Sequence, residues 1–92
     1  MSVDVGCRPD PAGWTCDVTV DEAAGATRHH VTVRTADLER LDPAATDPIE
    51  LVRRSFAFLL EREPPGSILR EFDLMVIGRY FPEYEATIRR AR

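Results

Sequence analysis

The chain has no lysine, no asparagine and no glutamine, and all twelve of its basic residues are arginine. The three missing amino acids use A-rich codons, so a GC-rich bacterial genome is the simplest source of the bias. Individual arginines are therefore not read as chosen guanidiniums, although Arg and Lys recognise anions differently. No apolar run approaches the roughly 18–20 residues that cross a bilayer. The start, MSVDVGCRPDP, has neither a basic n-region nor an apolar h-region. A cytoplasmic protein with no membrane contact is expected. Glycine is sparse, and Gly6, Gly13, Gly25, Gly66 and Gly78 are dispersed, so there is no Gly-rich phosphate loop. No nucleophile elbow and no local catalytic Cys signature is present.

What remains is ordinary for a folded chain. The 92 residues are 43% hydrophobic and 30% charged, too apolar for disorder and long enough for one domain, 1–92. The net charge of −4 disfavours nonspecific nucleic-acid binding, which needs cations to displace counterions from phosphates. Residues 1–50 carry ten acids against four arginines, and residues 51–92 carry six acids against eight. Two differently charged faces account for this, and mutual complementarity between copies, or steering of an acidic partner to the second half, is the sharper alternative.

The first third alternates with a period of two. Val3, Val5 and Cys7 share one face of SVDVGC, and Trp14, Cys16, Val18 and Val20 share one face of WTCDVTV. His29, Val31 and Val33 continue the pattern in TRHHVTVR. Such alternation predicts strands with one buried face, and RPDPAG and DEAAGA have turn chemistry. Centred turns place Cys7 opposite Cys16, Val5 opposite Val18 and Val3 opposite Val20. They place Val18 opposite His29, Cys16 opposite Val31 and Trp14 opposite Val33. A one-residue slip would send the apolar set into water.

Helices are predicted next. Thr35 caps a short one with Leu38 and Leu41 facing in. Asp47 caps a long one over 48–63, with Pro48 in its first turn and Ile49, Val52, Phe56, Leu59 and Leu60 at helical spacing. Glu50 and Arg54 form an i,i+4 pair there. Ser67 starts a short turn. Asp73 caps LMVIGRY, read as helix with a strand as the alternative, and Pro82 opens a last helix with Arg89, Arg90 and Arg92 at its negative end. The fold class is α+β: a three-stranded antiparallel β-meander over about residues 3–34, then three to four helices packed on one sheet face.

Candidate chemistry is thin. Cys7 and Cys16 are read as reduced core thiols. A cross-strand disulfide, or a metal site using Cys7, Cys16 and His29, are the alternatives; C-x₈-C-x₁₂-H lacks the short knuckles of zinc modules. His29 and His30 point to opposite faces of a strand, so they cannot act on one substrate. No catalytic residue and no cofactor is assigned. The best binding candidate is GRYFPEYE, where Arg79, Tyr80, Glu83 and Tyr84 are the interface residues, since Tyr and Arg favour interfaces. Base stacking on these aromatics would bring Glu83 and Glu85 against phosphates.

The stretch FLLEREPPGSILREFDLMVIGRYFPEYE, with its F-x-L-x-x-I-x-R-Y-F-P-E-Y pattern over 72–84, resembles a family of small bacterial proteins without an established activity. The resemblance implies a complete domain and supplies no functional residue to carry over. The expected function is a noncatalytic protein-interaction module, with a protein partner or self-association as a homodimer. The alternatives are a metal- or thiol-dependent protein centred on Cys7 and Cys16, and, more weakly, nucleic-acid binding through the arginine-rich C-terminal half.

Overall fold

The computed structural model describes residues 1–90; Arg92, expected at the last helix's end, lies outside them. Three strands, β1 (Ser2–Asp10), β2 (Gly13–Glu22) and β3 (Gly25–Arg34), pair antiparallel in chain order. Each of the six expected cross-strand pairs is present, from Val3 opposite Val20 to Trp14 opposite Val33. The alternation sets this parity: Cys16, Val18, Val20, His29, Val31 and Val33 are all buried on one face. The other face is polar and holds Asp17 between Arg8 (2.9 Å) and the His30 Nδ1–H donor (2.6 Å). These bonds, Arg8 first and then His30, lower the Asp17 carboxyl below its ordinary value.

The first hairpin is closed by Asp10. Its carboxylate accepts from the Thr15 hydroxyl (2.7 Å) and from the amides of Ala12 (2.8 Å) and Gly13 (2.9 Å). Gly13 sits at φ +154°, and a Cβ there would stand 2.2 Å from the Val33 carbonyl oxygen. Only glycine fits where the turn passes the end of β3.

The apolar sheet face is covered by helices α1 (Thr35–Leu41), α2 (Ile49–Leu60), α3 (Ile77–Tyr80) and α4 (Tyr84–Arg90). Helix α2 packs against β1 and buries Leu51, Val52, Phe56, Phe58 and Leu59. Each such side chain contributes roughly 1.5–3 kcal/mol of transfer free energy. Pro48 stands at the cap, and Asp47 just before it accepts the Ile49 amide at 3.0 Å. The expected Glu50–Arg54 pair does not form. Glu50 pairs with Arg53, one residue nearer. Arg54 turns inward instead, giving Nη2–H to Asp42 (2.9 Å) and Nη1–H to the Ile88 carbonyl (3.0 Å). It ties α2 to the ends of α1 and α4.

The three-stranded expectation is corrected to a four-stranded mixed sheet. Strand β4 (Glu71–Asp73) lies parallel to β3, with Phe72 opposite Val31 and Thr32 opposite Asp73. Three residues are too few to show a period, and the partner strand lies some forty residues earlier. What places the strand is long-range: the His30 amide donates to the Arg70 carbonyl at 2.7 Å, and the Thr32 hydroxyl to Asp73 at 3.0 Å. Beyond β4 the helical expectation holds. The Asp73 carboxylate accepts the Met75 amide at 3.1 Å, a 3₁₀ turn runs over Leu74–Val76, and α3 stops before Pro82.

Candidate functional site

The four expected interface residues separate. Arg79 and Tyr80 are exposed on α3, Tyr80 at 66%. Glu83 is exposed and accepts from Arg62 Nε at 3.2 Å. Tyr84 is a correction: it is fully buried. It opens α4 one turn before buried Ile88, so both face the core. That i,i+4 spacing was available in the sequence. The Tyr84 hydroxyl lies 2.7 Å from Ser55 Oγ, which is itself 2.7 Å from the Leu51 carbonyl. A carbonyl only accepts, so the single Ser55 proton goes to Leu51 and the Tyr84 O–H donates to Ser55. The ring meets Phe58 edge-on at 5.3 Å. Burial raises the phenol well above its ordinary value of 10.0.

Leu69 departs from expectation the other way. An apolar residue next to buried Ile68, it is nevertheless 47% exposed. It stands beside an apolar groove of about 390 Å³, walled by Leu59, Ile68, Leu69, Phe72, Val76, Ile77, Tyr80 and Phe81, with Glu63 and Ser67 adding polar atoms. The volume falls at the lower end of the range for ligand-sized clefts. The walls come from the end of α2, the 3₁₀ turn Pro65–Ser67, β4 and α3. No local pattern marks Leu69, because one apolar residue between Ile68 and Arg70 fits a core or a rim equally well.

The groove rests on rigid supports. His29, fully buried, has Nδ1 2.7 Å from the Leu69 carbonyl and Nε2 2.9 Å from the Thr27 hydroxyl. The carbonyl only accepts, so Nδ1 carries a proton and donates to it, while Nε2 pairs with the Thr27 hydroxyl. Behind the wall, the Phe81 ring meets Phe58 edge-on at 5.8 Å, and the Arg62 guanidinium lies 3.5 Å over the Phe58 ring and donates to the Phe58 carbonyl at 2.9 Å.

Cys7 and Cys16 are joined in a disulfide. The reduced-thiol reading is thereby corrected: the register brings the two side chains directly opposite each other. The metal alternative loses both thiolates to this bond, and both His29 nitrogens already have protein partners. Among the described residues no group of three or more His, Cys, Asp or Glu is placed to hold a metal ion. Of the second-half arginines, Arg53, Arg54, Arg62 and Arg89 pair with carboxylates. No helix among the described residues is long and apolar enough to cross a membrane. The chain matches no family model, no curated protein and no solved structure.

Proposed function

We propose that the protein is a small noncatalytic interaction module that takes an apolar segment of a protein partner into the groove beside Tyr80. The observation that carries this reading is the exposure of Leu69 and Tyr80 along an apolar cleft held by buried His29. Exposed large apolar side chains around a cleft mark docking sites, and Tyr is among the residues that carry binding energy. Arg70 and Arg79, each next to a groove residue in the chain, are exposed and make no ion pair among the described residues. An acidic flank on the partner's segment would complement them. Nucleic acid suits the surface less well, because four of the eight arginines of the second half already pair with carboxylates.

Location enters the same proposal. A cytoplasmic site is the expectation from the sequence, yet cytosolic thiols are held reduced and disulfides persist in oxidising surroundings. The bonded pair and that location therefore pull in opposite directions.

The groove is tested with short random peptides displayed on phage and selected on the immobilised chain. Enriched peptides should combine apolar residues with Asp or Glu. They should lose about tenfold or more in affinity against Tyr80→Ala, roughly 1.4 kcal/mol, while the unfolding midpoint stays unchanged. Peptides that bind Tyr80→Ala and Leu69→Ala as tightly as the parent would place recognition elsewhere.

A further inference from the structure

The sheet order leaves one edge of β1 unpaired. One hydrogen bond tells which residues present their backbone there. The His30 amide points to β4, at 2.7 Å from the Arg70 carbonyl. Even-numbered residues of β3 therefore turn toward β4 and odd-numbered ones toward β2. The one-to-one registers carry this alternation across the sheet without a bulge. His29 faces Val18, so even residues of β2 face β3 and odd ones face β1. Their partners in β1 are even. Val3, Val5 and Cys7 are left with N–H and C=O groups aimed at the open edge. Among the described residues, none of these groups bonds to a loop or helix. Pro9, which lacks an N–H, belongs to the same outward set, where the missing donor disturbs no ladder within the chain.

This edge is only partly guarded. Proteins blunt edge strands by shortness, bulges, charged side chains, proline or a covering helix or loop; β1 carries exposed Asp4 and Arg8 and has Pro9 near its end, and helix α2 packs against it. Strand β1 runs nine residues, is unbulged, and has only half-buried Val3, Val5 and Cys7 on its core face before Pro9. The opposite edge, β4, is three residues long.

The outer face of β1 adds a specific signal. Asp4 and Arg8 lie symmetrically about Gly6 with opposite charges. An antiparallel pairing of two copies about an axis at Gly6 sets Asp4 opposite Arg8 of the partner subunit, and does so twice. The same register sets Val5 opposite Cys7 of the partner subunit, so outward backbone meets outward backbone, and Val3 opposite Pro9 of the partner subunit, where each end of the ladder lacks one donor. A centre at Val5 would face Asp4 with glycine, and a centre at Cys7 would face it with Asp10. Asp4 has no ion-pair partner within its own chain among the described residues, and Arg8 commits only Nη1 to Asp17. We infer that two copies of this chain join β1 to β1, antiparallel and centred on Gly6, into one continuous eight-stranded sheet. This does not rest on the groove, which lies at the β4 end of the sheet.

Sedimentation velocity over a concentration series tests it with the parent chain, Asp4→Arg, Arg8→Asp and an equimolar mixture of the two variants. The parent should dimerise reversibly. Each charge reversal places like charges together twice and should weaken self-association roughly tenfold or more. The mixture should recover dimers, because reversed position 4 of one variant meets reversed position 8 of the other. Asp4 makes no ion pair among the described residues, so the circular dichroism and unfolding midpoint of Asp4→Arg should match the parent. A parent that stays monomeric to about 1 mM, single variants that dimerise as well as the parent, or a mixture that fails to recover would each overturn the inference. Tyr80→Ala should leave the dimer intact. Its loss in that variant would assign the contact to the groove and overturn the β1 register.

Discussion

Replacing Ser55 by alanine should have opposite effects in two backgrounds that differ by one oxygen atom. Ser55 and Tyr84 are both fully buried and share one hydrogen bond, in which Tyr84 donates and Ser55 passes its own proton to Leu51. With Tyr84 present, Ser55→Ala strands a phenol donor away from water, a penalty of about 1–3 kcal/mol. Better helix propensity returns about 0.5 kcal/mol of that. In the Tyr84→Phe background no donor is stranded. The Ser55 hydroxyl then only bonds back to a carbonyl one turn earlier, which slightly weakens a helix. There, Ser55→Ala should be neutral or stabilising. Tyr84→Phe alone should cost about 0.5–1.5 kcal/mol, the net value of a bond whose acceptor remains otherwise satisfied. The coupling between the sites is then about 1–3 kcal/mol. Urea unfolding of the four proteins at one fixed concentration measures it, since self-association makes stability depend on concentration. If Ser55→Ala costs the same with and without the tyrosine hydroxyl, the assigned direction of the bond is wrong.

Two further perturbations follow from single groups. The Tyr84 phenol is raised in the folded state, so its contribution is fully present below the unfolded value of 10.0 and is lost as pH rises above it; unfolding free energies above that pH should fall less steeply for Tyr84→Phe than for the parent, and equal slopes would count against burial as the cause. The Cys7–Cys16 bond closes a loop with a sequence separation of 9, worth about 2.5–3 kcal/mol by loop entropy; a reductant should lower the urea midpoint correspondingly, and an unchanged midpoint with two titratable thiols beforehand would mean the bond is not formed.

The antiparallel part of the sheet was legible because its signal is local. Val3, Val5, Trp14, Cys16 and Val18 alternate over short distances, and the turns between strands leave little freedom in register. The long helix was legible for the same reason, although Pro48 rather than Asp47 is its cap and it spans Ile49–Leu60 instead of 48–63. The groove was not. Its strand is three residues long, and its position is set by atoms of His29 and His30 far away in sequence. The interface reading of Tyr84 failed on a different ground. A tyrosine hydroxyl usually seeks water, and the sequence does not announce that Ser55, twenty-nine residues earlier, is placed to receive it. The bonded thiols were not legible from compartment, which favours reduced cysteine, whereas the register sets the two side chains opposite each other.

The adjacent histidines tie the parity of the sheet to the groove. Opposite faces of β3 keep them from acting jointly on a substrate, and the structure shows what they do instead. His29 points inward and holds the Leu69 carbonyl through Nδ1. His30 points its ring outward to Asp17 while its backbone amide takes the next carbonyl, Arg70. Two successive carbonyls are thus fixed by two successive residues, one through a side chain and one through the main chain. That arrangement requires the strand parity seen here. A one-residue slip of β3 would expose His29, release Leu69 and aim the amide at β2 instead. The groove wall and the open edge of β1 are therefore read from the same alternation. The bond that fixes β4 beside β3 is also the bond that identifies Val3, Val5 and Cys7 as the outward set three strands away.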